Sequence, residues 1–271
     1  LFEETLLQIN FAYDIFKQNG EAIAQDFQIL TKGKKSQPLS ATNQLLGDLS
    51  QLFIEEGASI ECSILNTKTG PIYIGKDAEI MEGSIVRGPF ALCDHAGLKM
   101  AAKIYGPTTI GPHCKVGGEV NNCVFFAYSN KGHDGFLGNS VVAEWCNLGA
   151  DTNTSNLKNN YGEVDVWNYR EAKYVETGMQ FHGLVMGDHA KAGINTMFNT
   201  GTVVGVSANI FGGDFPPKFI PSFTWGGAKW LRTFIFEKGL EVAEKMMERR
   251  NIKLTQVDID TGKKDNTATT T

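Results

Sequence analysis

Aliphatic side chains return at every sixth residue from Ile74: Ile74, Ile80, Val86, Leu92, Leu98, Ile104, Ile110 and Val116. Four residues after each stand Ala78, Ser84, Phe90, Ala96, Ala102, Thr108, Cys114 and Val120, most of them small. A second run follows at Met186, Ala192, Phe198, Val204 and Ile210, with Ala190, Thr196, Thr202 and Ala208 four residues on, and breaks at Asp214. A period of six fits neither an α-helix nor an ordinary hairpin. It suits a short strand, a turn and another short strand, with one inward aliphatic on each side of a three-sided prism. Three sides make a coil of about 18 residues, and such coils stack about 4.8 Å apart. Each inward Ile, Val or Leu contributes roughly 1.5–3 kcal/mol of burial. No coil closes its own core, so the stack is the cooperative unit. The competing reading is a β-sandwich with coincidental spacing, which would have to produce a long series of hits at one fixed phase. The spacing predicts repeats over 54–214, interrupted at 120–135 and 152–181, with the inward phase resuming at Phe136, Val142 and Leu148.

The flanks carry other periods. Leu6, Ile9, Tyr13 and Phe16 recur at helical spacing, predicting an amphipathic helix that stops near Gly20 and a short second helix over 20–28. Residues 31–44 are polar, contain Pro38 and read as a linker. GGDFPPKFIPSFTWGG is a proline-rich exit from the repeats. One or two helices follow, with Leu240, Val242, Ala243, Met246 and Met247 on one face. The expected organisation is N-terminal helices and linker over 1–48, a β-helix over 49–222, a helical extension over 223–259 and a disordered Thr-rich tail over 260–271.

Composition narrows the function classes. A net charge of −5 without a Lys/Arg stripe argues against nucleic acid. No apolar stretch reaches membrane-spanning length, and no signal peptide is legible. Five scattered cysteines (Cys62, Cys93, Cys114, Cys123, Cys146) without a CxxC pair predict reduced thiols in a cytoplasmic protein. The first residue is Leu, which fits a piece of a longer polypeptide.

Residues 129–156, SNKGHDGFLGNSVVAEWCNLGADTNTSN, break the repeat and hold the candidate chemistry. Ser129, Gly132-His133, Leu137-Gly138, Asn147, Gly149-Ala150, Thr152 and Asn156 carry a resemblance, supported upstream by Gly88-Pro89-Phe90-Ala91 and Val116-Gly117. The chain resembles the C-terminal acetyltransferase domain of the bifunctional N-acetylglucosamine-1-phosphate uridyltransferase/glucosamine-1-phosphate acetyltransferase family, and more closely the GlmU-like sugar nucleotidyltransferases. The resemblance implies a left-handed β-helix, acetyl-CoA as co-substrate, an amino sugar phosphate as acceptor and a homotrimer with sites between subunits. It places the reaction in sugar-nucleotide and cell-envelope biosynthesis. Mg²⁺ would serve only the nucleotidyltransferase domain, whose Gly-rich loop this sequence lacks.

By the same resemblance His133 is the general base on the sugar amine, Asn147 and Asn156 orient the acceptor, and Gly149 and Ala150 present a backbone N–H to the thioester carbonyl. An imidazole near pKa 6.5 suits that proton transfer. Phe136 stands where the family has a tyrosine. Asp94 and Asn121 match the family's phosphate-holding Arg and Lys by position. Lys131 and Arg87, with Lys99 and Lys103, are the cations available to replace them, and Tyr161 supplies the tyrosine of a displaced Asn-Tyr pair. Two other readings stay open. The chain is a trimerisation scaffold with an inactive acyl site, or His133, His182 and His189 form an interfacial metal set.

Overall fold

The computed structural model describes residues 7–270. The six-residue period becomes the left-handed parallel β-helix expected, of about ten turns, with helices at both termini. Face one stacks Gln44–Leu46, Ile64–Asn66, Ile85–Arg87 and Lys103–Tyr105, then the first halves of Glu119–Phe125 and Phe136–Val142. Face two runs from Leu52–Ile54 through Thr108–Ile110 and the second halves of those long strands to Leu184–Met186, Thr202–Val204 and Phe219–Ile220. Face three runs from Ser59–Ile60 through Lys115–Val116, Asn130–Lys131, Asn147–Leu148 and Lys191–Ala192 to Thr224–Gly226.

All eight aliphatics from Ile74 to Val116 and all eight residues four positions later are at most 2% exposed. Both positions of the repeat therefore point inward. The second run is buried likewise, and Asp214, where it fails, is exposed.

Residues 120–135 do not interrupt the helix. They form a shortened coil with Val120, Phe125 and Lys131 inward, in register with Ile104, Ile110 and Val116 below. The inward phase resumes at Leu137, fully buried, and not at Phe136, which is half-buried and outward. A fixed step of six misses both changes because the coil has lost residues at its corners.

Each corner has its own chemistry. Between faces two and three, Asp77, His95, His113, Tyr128, Trp145 and His189 take left-handed backbone with φ between +53° and +61°. The five rings from His95 to His189 stack in one column, with centroids 4.8, 4.8, 4.1 and 6.1 Å apart. Between faces one and two, asparagines take the same conformation at Asn122 (φ +54°) and Asn139 (φ +48°). Asn156 Nδ2 donates to Asn139 Oδ1 at 2.8 Å. With the Asn122 amide oriented to satisfy its neighbours, its oxygen accepts from Asn139 Nδ2 and its nitrogen donates to the Pro107 and Phe16 carbonyls.

That amide column seats one helix, α1 (Asp14–Thr31), which buries Phe16, Ile23 and Phe27. Leu6 lies outside the described residues, and Ile9 is exposed. The helix passes through Gly20 instead of stopping there. A Cβ at Gly20 would meet Pro107 Cγ at 2.9 Å, so this glycine permits close helix–coil approach.

Residues 156–182 leave at the same corner and return after one antiparallel hairpin, Asp165–Asn168 with Lys173–Glu176. The excursion folds onto its own face two, where Val164 and Val166 join Tyr13, Phe16, Val124, Val141 and Val203 in a second core. Apolar outward residues on that face explain why the segment packs here. His182 is fully buried in this layer, edge-on to Tyr13 and Phe16, and burial pushes its pKa down to about 4.

At the far end Leu231–Thr233 pairs antiparallel with the last face-three strand. Helix α2 (Phe236–Glu248) then buries Gly239, Ala243 and Met247, while Val242 faces solvent. The tail read as disordered is helical instead, as α3 (Gln256–Thr270), whose first turn is tied by Asp258 accepting from Thr255 N at 2.7 Å. Among the described residues no helix is long and apolar enough to cross a membrane. The five cysteines are free thiols.

Candidate active site

His133 stands at the corner between faces three and one, with its side chain exposed. Its backbone is held from below. Lys131 occupies an inward position of face three, above Val116 in register, and is 1% exposed. From inside the prism its Nζ donates to the carbonyls of His133 at 2.9 Å and Gly117 at 3.1 Å. Burial pulls the Lys131 pKa down to about 8, against a smaller opposing pull from Asp134. Lys131 is thus no outward substrate contact: an ammonium inside the core fixes the corner that displays His133.

The next coil brings Gly149 and Ala150 to the same corner. Asp151 N donates to Asp134 O at 3.0 Å, tying the two coils directly. Gly149 N donates to Ala192 O, and Ala150 O accepts from Asn195 N at 2.8 Å. A Cβ on Gly149 would meet Ile194 N at 2.6 Å, so the coils approach too closely there for a side chain. The Ala150 N–H has no backbone acceptor among the described residues.

Asn147 lies just before this corner, outward on face three, in register with Asn130 and Lys191. Phe136 and Asn156 meet over Gly138, where an added Cβ would touch both. Asn121 lies directly below Gly138 on face one, with Tyr105 beneath it. Arg87 is exposed one coil lower still. Tyr161 is exposed on the excursion, where its carbonyl accepts from Gln180 Nε2 at 2.9 Å.

The structure therefore sorts the expected residues into two groups. His133, Gly149, Ala150 and Asn147 gather around the corner between faces three and one. Asn121, Phe136 and Asn156 sit across face one, where the Asn156 amide is engaged by Asn139. Arg87 and Tyr161 join neither group. Asp94 lies on the opposite corner, beside His95, with its Oδ1 accepting from Lys76 N at 3.0 Å. Its negative charge is thus not placed at the His133 corner.

The proposed metal set is dispersed: His133, His182 and His189 occupy three different corners, and among the described residues no group of three or more His, Cys, Asp or Glu is placed to hold a metal. His189 belongs to the ring column, and burial pushes its pKa to about 4.

The buried role of Lys131 leads to a prediction. Its folded-state pKa of about 8 lies below the unfolded value, so the fold disfavours the charged form. The penalty, of order 3 kcal/mol, is fully present below pH 8 and disappears as pH rises towards about 10.4. Lys131→Met removes it but leaves two carbonyls without their donor, at about 1–3 kcal/mol each. Its melting temperature at pH 7 is expected within a few degrees of wild type by that near-cancellation. Between pH 7 and 10 the wild type is expected to gain stability relative to the variant; parallel melting curves across that range would contradict this account.

No protein-family model matches the chain. A bifunctional sugar-1-phosphate nucleotidylyltransferase/acetyltransferase of Sulfurisphaera tokodaii is 31% identical over 146 residues, covering 53% of this chain and 36% of that protein. An uncharacterized acetyltransferase, YaiX, of Escherichia coli is 25% identical over 164 residues, covering 60% of this chain and 70% of that one. Among solved structures, the polySia-specific acetyltransferase NeuO aligns with 78% of this chain and all of its own, at 11% identity and a TM-score of 0.43. The chain thus spans about a third of the length of the first of these relatives.

Proposed function

We propose, from the premise that about half of this chain is homologous to sugar-1-phosphate nucleotidylyltransferase/acetyltransferases, that it transfers an acyl group from acyl-CoA to the amine of an amino sugar phosphate. The observation that carries the reading is the display of His133 on an exposed corner whose backbone Lys131 anchors, one coil below Gly149-Ala150. In this reading His133 takes the proton from the amine as nitrogen attacks the thioester carbonyl. The tetrahedral oxyanion meets the Ala150 N–H. Collapse breaks the C–S bond, and the imidazolium returns its proton to the departing thiolate. Asn147 orients the acceptor from face three. Phe136 supplies an apolar wall where a hydroxyl would otherwise stand, with Glu119 below it in register and Asn121 below the nearby Gly138.

In the same reading the chain works as a homotrimer, and Mg²⁺ belongs only to a nucleotidyltransferase domain elsewhere in a longer protein. The test is direct. Acetyl-CoA is mixed with amino sugar phosphates and acetylation followed by mass spectrometry, with calorimetric binding of acetyl-CoA and of desulfo-CoA in parallel. Transfer of one acetyl group is expected. No transfer, and no binding of either compound at millimolar concentration, would overturn the reading. A scaffold role is favoured by one observation: the Asn156 amide is spent on the corner column that seats α1.

A further inference from the structure

A cavity of about 710 Å³ lies between outward face three and α2. Four cationic side chains line it: Lys191 from the coil, Lys245 from the last turn of α2, and Arg249 and Arg250 from just past its end. No Asp or Glu lines it, in a chain whose net charge is −5. Lys245 is paired with Glu248 at 3.0 Å. Lys191, Arg249 and Arg250 make no ion pair among the described residues; the Lys191 ammonium donates only to its neighbour's carbonyl, His189 O, at 2.7 Å. Arg250 also acts on groups outside the cavity. Burial holds the His113 pKa down, with His95, Arg250 and Lys115 adding to the effect, and burial likewise lowers the Lys115 pKa, with a smaller part from Arg250.

Basic residues at the end of a helix complement its dipole, which accounts for Arg249 and Arg250 alone. It does not account for Lys191, which rises from a strand on the opposite wall. Like charges gathered around one space without a counter-charge cost free energy, and an anion filling that space reverses the sign. The amides of Asn130 and Asn147, adjacent in register on the cavity floor, offer donors and acceptors to a polar group attached to that anion. The stacked rings of Tyr128 and Trp145, 4.1 Å apart, give the cavity a rigid side.

We propose that this cavity is a binding site for a phosphate ester, its phosphate held between Lys191 on the β-helix and Arg249 and Arg250 just past the end of α2, and its polar body on Asn130 and Asn147. The site stands whether or not the chain transfers acyl groups. A sugar phosphate and a phosphate-bearing carrier such as CoA share the chemistry, and the measurement separates them.

Calorimetric titration of the full chain uses three probes: glucosamine 1-phosphate, CoA and inorganic pyrophosphate, with free glucosamine as the uncharged-body control. Binding of at least one phosphorylated probe is expected, together with weakening as salt is raised. That affinity is expected to fall tenfold or more in Lys191→Met and in Arg249→Gln/Arg250→Gln. The second variant alters only exposed side chains, so it tests the site even if Lys191→Met fails to fold. Binding of pyrophosphate alone would identify an anion site without recognition of the body and overturn the ester assignment. No binding by any probe at millimolar concentration, or an unchanged affinity in Arg249→Gln/Arg250→Gln, overturns the site.

Discussion

His133→Ala is expected to lower the rate of acyl transfer by about 10²–10⁴-fold while leaving the melting temperature unchanged. The side chain is exposed at the corner, so removing it creates no cavity. The contact that fixes this corner runs through the His133 carbonyl, which alanine retains. Steady-state kinetics with the amino sugar phosphate that proves to be acetylated, beside a thermal melt, would check both halves. The loss should fall on kcat, since a general base acts on the transition state more than on the bound substrate. Wild-type turnover in the variant would remove His133 from the chemistry.

Phe125→Ala carries the largest expected cost in stability, about 3–5 kcal/mol. Phe125 fills the inward position of face two in the shortened coil, between Ile110 below and Val142 above. It is 1% exposed. A coil with fewer residues has less backbone to enclose the same cross-section, and a large side chain there restores the filling. Alanine leaves a hole between two fixed coils that hydrogen bonding prevents from collapsing. Because coils are coupled only to their neighbours, the damage should spread along the stack from that point. Denaturant titration measures it. A loss below about 1 kcal/mol would mean the coil repacks, contrary to this description.

The two predictions rest on features of unequal legibility in the sequence. The columns were plain because inward burial imposes one aliphatic per six residues, and the interior tolerates only small side chains at the companion position. The shortened coil was not, because its identity lies in absolute length: Lys131 stands where a fixed-period reading expects no inward residue, and a lysine is read as surface by default. The buried ammonium is intelligible only once the carbonyls of Gly117 and His133 are seen to face inward. Leu137 was displaced by one position from Phe136, since the step from Lys131 to Leu137 keeps the period of six and the missing residue falls in the next step, of five, to Val142. Gly20 shows the converse error. A glycine inside a helical pattern reads as a stop, yet contact with Pro107 asks for its lack of a side chain. Asn156 fits a functional motif by spacing, but the left-handed corners at Asn122 and Asn139 draw its amide into a column that no linear pattern displays. The cavity cations share that problem, for Lys191 and Arg250 lie far apart in the chain and meet only because α2 folds back.

The antiparallel pairing of Leu231–Thr233 on the final face-three strand has a consequence for solubility. A parallel coil ends in a row of unpaired N–H and C=O groups, and such an edge templates the next copy of itself. One strand running the wrong way ends the parallel series on face three. On that face a further parallel coil finds no matching edge to extend.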